Sequence, residues 1–279
     1  MDSTLRDGEQ TSGVSFIPHE KLVLARMLLR DVNVDRIEIA SARVSEGEKE
    51  AVAMVCRYAK DADVLDRVEV LGFVDGGKSV DWIADCGGKV INLLTKGSEK
   101  HCTKQLKKTP QQHIADVREA IEYAHSRGMA VNIYLEDWSN GMKESPDYVY
   151  NMVESLRDCG IKRFMLPDTL GVLTPMQTGF FFHEMTTRFP ELRFDFHGHN
   201  DYDLAVSNSM AAVNEGATGI HVTVNGLGER CGNAPLASVQ AILRDHLQVE
   251  TNIVEDKLND ISRLVESYSG VVIAPNQPI

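Results

Sequence analysis

The sequence predicts a closed α/β barrel of the (β/α)8, or TIM, type, on three observations. Strand-like apolar runs alternate with helix-like amphipathic runs along the whole chain, roughly 20–40 residues apart, which describes repeated β/α units and a parallel sheet. Nearly every strand run ends in residues that can do chemistry. Barrels collect such side chains at the C-terminal ends of many strands, whereas an open doubly wound sheet gathers them at one switch point behind a glycine-rich phosphate loop; no GxGxxG follows the early runs here. Finally, 279 residues suit an eight-fold barrel, which takes about 250.

The first strand falls just before Asp2, where only Met1 remains, so the barrel is expected to start truncated or the numbering to omit residues. Asp2–Gln10 (DSTLRDGEQ) is a turn leaving that strand, and an amphipathic helix follows at His19–Leu29. Strands are expected at Asp35–Ser41, Arg67–Asp75, Lys89–Thr95, Ala130–Asp137, Lys162–Thr169, Leu192–His199 and Gly219–Gly226. Helices at Gln111–Gly128 and Asp147–Gly160 end in the residue favoured just past a helix terminus. The chemically useful strand ends are Thr95, Glu136, Asp168, Thr169, His197, His199 and Asn225. No linker or low-complexity tract divides the chain, so residues 1–270 are expected to form one barrel domain.

Acidic residues outnumber basic ones, 41 to 29, for a formal charge of -12. That field repels phosphate, so nucleic acid and anionic membranes are not expected partners. No apolar run approaches the roughly 20 residues of a membrane span, and the charged start is unlike a signal peptide, so a soluble cytoplasmic protein is expected. Five scattered cysteines without a CxxC pair fit reduced thiols.

FHGHND (Phe196–Asp201) is the sharpest local signal. Alternate strand residues share a face, so His197 and His199 present two imidazoles together, a chelate for a divalent cation that Asn200 and Asp201 would orient. Two imidazoles hold a hard cation poorly without a carboxylate. Asp7 is the candidate, because in a closed barrel only one strand separates the strand before Asp2 from Leu192–His199. Arg6 then supplies the fixed positive charge that an anionic substrate needs. The plain alternatives are a satisfied core histidine and a solvated charged turn.

Taken together, DSTLRDGEQ, LEDWSNG (Leu135–Gly141), LPDTLG (Leu166–Gly171), HGHND and NGLGERCGN (Asn225–Asn233) resemble the DRE-TIM metallolyase family over almost the whole chain. Within it they resemble the Claisen-condensing synthases. The stretches ASARVSEGE (Ala40–Glu48), LGFVDGGKSVDWI (Leu71–Ile83) and NLLTKGS (Asn92–Ser98) look most like citramalate synthases, and next isopropylmalate synthases. The resemblance implies that Asp7, His197 and His199 bind a divalent metal (Mg2+, Mn2+ or Zn2+), with Asn233 in contact directly or through water. It implies Arg6 as the residue that stabilises enolate and oxo-acid charge. Gln10, Glu136 and Thr169 are placed beside the substrate, Glu136 as base or base-orienter; its plain alternative is a solvated strand-end carboxylate. A 2-oxo acid and acetyl-CoA are the implied substrates, and a homodimer the implied assembly.

Leu71, Phe73, Leu94 and Tyr134 lie near strand ends and are read as the substrate pocket, bulky enough to favour pyruvate over 2-oxoisovalerate, or else as barrel core. Lys96, Lys100, Lys104, Lys107 and Lys108 could meet the phosphates of CoA or form a solvated helix, and Cys231 reads as a packing residue. The family's synthases continue past the barrel into a linker and subdomains, one of which donates a catalytic histidine. Here residues 271–279 are read as the start of that linker, and the region beyond as missing. An acyl-CoA lyase and a non-catalytic barrel are the other readings; the lyases' cysteine-loop motif is lacking.

Overall fold

Alternation of apolar residues builds seven parallel strands: β1 (Ile37–Ser41), β2 (Val68–Phe73), β3 (Val90–Lys96), β4 (Ala130–Glu136), β5 (Phe164–Asp168), β6 (Phe194–Gly198) and β7 (Gly219–His221). In this computed structural model, which describes residues 1–275 and 277, they form one sheet in the order β1 to β7. The sheet curls until its two edges meet across the first residues of the chain. Asp2 N donates to Arg36 O and Ser3 N to Val222 O, both at 2.8 Å, so Asp2 bridges Ile37 and Val222 in parallel. The expectation that the first strand lies wholly before Asp2 is thereby corrected: Met1, Asp2 and Ser3 span the gap between β7 and β1. With the helices outside, this is the expected α/β barrel.

The helices are α1 (Pro18–Arg26), α2 (Glu46–Asp61), α3 (Lys78–Asp85), α4 (Pro110–Ser126), α5 (Trp138–Glu144), α6 (Pro146–Leu156), α7 (Pro175–Arg188), α8 (Ala205–Asn214), α9 (Leu236–Asp245) and α10 (Leu258–Ser269). Several starts are specified locally. Thr109 and Gln112 form a capping box in front of α4, and Thr174 and Gln177 repeat it at α7, each with proline in the first turn. The expected helix at His19–Leu29 is shorter as an α-helix, running from Pro18 to Arg26 and passing into a π-turn at Met27–Val32. The last expected strand is cut to β7, because Asn225 takes a left-handed conformation (φ 60°) inside a short 3-10 turn. No helix of the described residues is long and apolar enough to cross a membrane. Of the segment 271–279, residues 276, 278 and 279 lie outside the described residues.

The main apolar core lies between sheet and helices, with Trp138, Phe164, Phe182, Phe194 and Phe196 among its largest buried side chains. Inside the barrel, Met1, Leu71, Tyr134 and Met165 pack together with Leu94 against them. Below that layer the interior is polar: Glu38, Glu69, Asn92, Asn132, Asp195 and His221 are all buried. Asn132 Nδ2 donates to Asn92 Oδ1 at 2.8 Å, and Asn92 Nδ2 to Glu38 Oε1 at 2.7 Å, a chain of hydrogen bonds that leaves Asn132 Oδ1, Glu69 Oε2 and His221 Nε2 without a partner.

Candidate metal centre and substrate cavity

The turn after Met1–Ser3 is tied down from both sides. Thr4 Oγ1 accepts from Val224 N (2.8 Å), while the buried Lys21 ammonium of α1 donates to Leu5 O (3.0 Å) and pairs with Glu9 and Glu48, both at 2.6 Å. So held, the turn points Arg6 and Asp7 over the C-terminal end of the barrel. Asp7 Oδ2 lies 3.1 Å from His197 Nε2 and 3.9 Å from His199 Nε2, and the two Nε2 atoms are 3.3 Å apart. The i, i+2 spacing thus presents both imidazoles to one face, as expected. Among the described residues this trio is the group of three whose donor atoms converge as a metal's ligands do.

The donor set fits a divalent ion. Adjacent ligands about 2.1 Å from one ion lie roughly 3.0 Å apart in an octahedron and 3.4 Å in a tetrahedron; the Asp7–His197 and His197–His199 spacings match these, and the Asp7–His199 spacing is wider at 3.9 Å. Burial pushes the Asp7 carboxyl up, but Arg6, His197 and His199 outweigh it and hold it well below the usual range. Burial, and then His197, push His199 down to about 4. At neutral pH the trio therefore offers an ionised carboxylate and a neutral His199, the forms that ligate. The backbone of Asn233 is bridged to that of His199, and its buried Oδ1 has no hydrogen-bond partner.

Arg6 is nearly buried. Its Nε donates to Glu38 Oε2 at 2.6 Å, and its Nη1 lies 3.2 Å from Asp7 Oδ2. Ser3 Oγ donates to the same Glu38 oxygen at 2.8 Å. Glu38 thus fixes the guanidinium from below.

A cavity of ≈ 220 Å³ opens over this cluster, and it is lined by Arg6, Asp7, Gln10, Leu71, Phe73, Leu94, Tyr134, Glu136, Thr169, His197 and His199. The sequence-predicted site residues therefore meet around one space, with Asn233 just behind His199. Glu136 ends β4 opposite Lys96 at the end of β3 and forms an ion pair with its ammonium. Thr169 Oγ1 accepts from Asp137 N at 2.9 Å, which leaves its proton for another partner. Leu71 and Tyr134 are buried wall residues, whereas Phe73 is 37% exposed at the rim.

The glycines of residues 226–232 shape the loop behind His199. Gly232 has φ +84°, and a Cβ there would stand 2.0 Å from Gly226 O; one on Gly228 would stand 2.1 Å from Asn233 Nδ2. Arg230 latches the loop, with Nε 2.8 Å and Nη2 2.9 Å from the two Asp201 oxygens and Nη2 2.7 Å from Thr169 O. Cys231 is exposed.

Several expectations are corrected. Asn200 and Asp201 do not orient the imidazoles, because the chain turns away after His199: Asn200 Oδ1 accepts from Ala205 N, and Asp201 takes Arg230. Asn225 bonds Ser262 on α10, and Asp168 accepts from Val172 N and Leu173 N to close its own turn. Thr95 Oγ1 donates to Tyr134 O. None of the lysines at 96–108 lines the cavity, and His101–Gln105 is a π-turn rather than a regular helix. Glu38, which holds Arg6, and Glu229, which lines the cavity, were missed as contributors, and Lys96, expected at CoA phosphates or on a solvated helix, pairs with Glu136. The legible signal for Glu38 is a charged residue centred in an apolar strand run, repeated at Glu69 and Asp195.

Fold and site together define a β/α barrel with a buried carboxylate–bis-imidazole cluster at its mouth and a fixed arginine beside it. The chain belongs to the HMGL-like family, whose profile matches residues 1–265. It is 36% identical over 280 residues to a putative (R)-citramalate synthase of Methanopyrus kandleri, covering 100% of this chain and 53% of that protein. A probable 2-isopropylmalate synthase of Ignicoccus hospitalis is 37% identical over 279 residues, with 100% and 68% covered. A homocitrate synthase of Saccharolobus islandicus is 36% identical, with 100% and 59% covered. The chain thus spans about half to two thirds of the length of these relatives. Among solved structures, the hydroxymethylglutaryl-CoA lyase of Pseudomonas aeruginosa superposes with a TM-score of 0.81 at 20% identity, covering 99% of this chain and 94% of that one. The Bacillus subtilis HMG-CoA lyase gives 0.79 at 21%, with 99% and 94% covered. At that identity the likeness concerns the fold.

Proposed function

We propose that this barrel binds a divalent metal and a small 2-oxo acid and serves a Claisen-type condensation of that acid with acetyl-CoA, pyruvate giving citramalate. The observation that carries it is the convergence of Asp7, His197 and His199 under Arg6 in one cavity whose far wall is apolar. The relatives at 36–37% identity are named as condensing synthases, which supports the reaction class, and their names divide over the acid among citramalate, isopropylmalate and homocitrate synthases. The chain spans 53% of the first of them.

Asp7, His197 and His199 would hold the ion, with Asn233 adjoining. A divalent ion there supplies Lewis acidity to a bound carbonyl. Arg6, pinned by Glu38, offers a desolvated positive charge to the oxo-acid carboxylate and to oxygen charge that builds during addition. Glu136, beside Lys96, would take or direct a proton from the acetyl methyl. The methyl carbon then bonds to the keto carbon, the keto oxygen gains a proton, and water cleaves the thioester to release the CoA thiol. Leu71, Leu94 and Tyr134 would enclose the acid's side chain, and bulky residues at that wall favour a methyl over an isopropyl group.

Calorimetric titration of the Mn2+-loaded chain with pyruvate and with 2-oxoisovalerate tests the reading. Pyruvate is expected to bind at least tenfold more tightly, a gap of about 1.4 kcal/mol. The reverse order would favour isopropylmalate synthesis, for which the Ignicoccus relative is named, and binding of neither would sink the 2-oxo-acid assignment.

A further inference from the structure

Resting on that reading, we propose that His221 is a positioning residue for 2-oxo-acid selectivity: from inside the barrel it anchors the Tyr134 phenol and so fixes the wall against which the substrate side chain packs. Tyr134 lines the cavity on β4, its ring packed with Leu71 and Met165 and standing edge-on to His197 and His221. Its hydroxyl has one proton and two acceptors in view. His221 Nδ1 is at 3.1 Å, and Glu38 Oε2 is at 3.5 Å and already receives Ser3 and Arg6. The nearer and less committed acceptor takes it.

Asp195 faces the other ring nitrogen of His221, Nε2, a buried atom that makes no hydrogen bond elsewhere. Its Oδ2 lies 3.4 Å from His221 Nε2, and it is ion-paired with Arg36 and Arg163. A carboxylate facing Nε2 favours the tautomer with its proton there and leaves Nδ1 with a lone pair. The phenol proton therefore points down the barrel axis, away from the cavity. Toward substrate, Tyr134 offers ring edge and oxygen lone pair, neither of which donates to a keto or carboxylate oxygen. Its influence on the acid is steric. A ring held by packing and by its oxygen cannot swing aside, so a branched acid meets a clash rather than a yielding pocket.

The test titrates the Mn2+-loaded chain with pyruvate and 2-oxoisovalerate in five forms: unsubstituted, His221→Leu, His221→Asn, Tyr134→Phe and the Tyr134→Phe/His221→Leu double variant. Asn keeps an acceptor at the δ position. The preference for pyruvate is expected to fall from at least tenfold to under threefold in His221→Leu and Tyr134→Phe. It should stay within twofold of the original in His221→Asn and fall no further in the double variant. Mn2+ affinity should change by less than threefold throughout, which separates the effect from general damage. Nitrogen-15 NMR should show His221 protonated at Nε2 and bare at Nδ1, with the Nδ1 resonance shifted by Tyr134→Phe. Unchanged selectivity in His221→Leu, or a proton on Nδ1, overturns the proposal; if His221→Leu does not fold, Tyr134→Phe carries the same criterion. Should the unsubstituted chain bind neither acid, the functional reading and the selectivity role fall together, while the NMR result still decides the anchor itself.

Discussion

Asp7 sits at the point where three kinds of interaction meet: a buried carboxylate, a guanidinium 3.2 Å away and two imidazoles. Desolvation of Asp7 is tolerated because those partners favour its charged form. Exchanging this ligand for its amide removes the negative charge that strengthens binding of a hard cation. Asp7→Asn is therefore expected to weaken Mn2+ binding at least tenfold, or about 1.4 kcal/mol, by calorimetry. Saturating Mn2+ should raise the melting temperature of the unsubstituted chain, since an ion at about 100 times its Kd adds roughly 2.7 kcal/mol to the folded state, and should raise it far less in the variant. An equal rise in both would remove Asp7 from the site. At this scale much was readable: the spacing of His197 and His199 is a property of any strand. Glu38 was not, because a lone acid in an apolar run shows its purpose only when Arg6, Ser3 and Asn92 are seen around it.

The elements that matter most to the site are short and irregular. The 3-10 turn at Val224–Gly226 and the glycine loop after it replace what reads as the tail of a strand, and they carry Asn233 back to His199. Gly232→Ala adds a Cβ 2.0 Å from a backbone oxygen in a left-handed conformation, so the loop must shift. The expected cost is ~1–3 kcal/mol of stability together with a several-fold loss of Mn2+ affinity. Gly128→Ala is the control: φ there is also positive (+71°), but nothing lies within 4 Å of the added carbon. It should lose stability without losing metal, and parity between the two variants in metal affinity would show that the loop does not shape the centre. Capping boxes made the starts of α4 and α7 readable in residues a few positions apart. The loop's motif was readable but its shape was not, because Arg230 latches it to Asp201 and Thr169, far away in the chain.

At the scale of the whole molecule, stability is coupled to pH through groups that the barrel buries. His113 on α4 is buried, and its Nε2 accepts from Lys96 N at 3.1 Å, tying the helix to the end of β3. Burial pushes it from 6.5 down to about 4. The folded state therefore binds fewer protons than the unfolded chain across that window. Its contribution is complete above pH 6.5 and is lost as the pH falls toward 4. Between pH 8 and pH 5 the loss attributable to His113 is ~2 kcal/mol. His113→Gln keeps an acceptor without the titration, so its urea midpoint should fall less than that of the unsubstituted chain over the same interval; parallel declines would assign the pH dependence elsewhere. The sequence alone determined the β/α alternation, the paired histidines and the family, because periodicity and contiguous motifs are local. Only the tertiary structure decided that Met1–Ser3 span the barrel's open edge, that Asn225 serves α10, and that Glu38, Asp195 and His221 form a polar interior beneath Tyr134. Those outcomes depend on which strands the curled sheet makes neighbours, since a buried polar group can bond only to the groups that closure brings beside it.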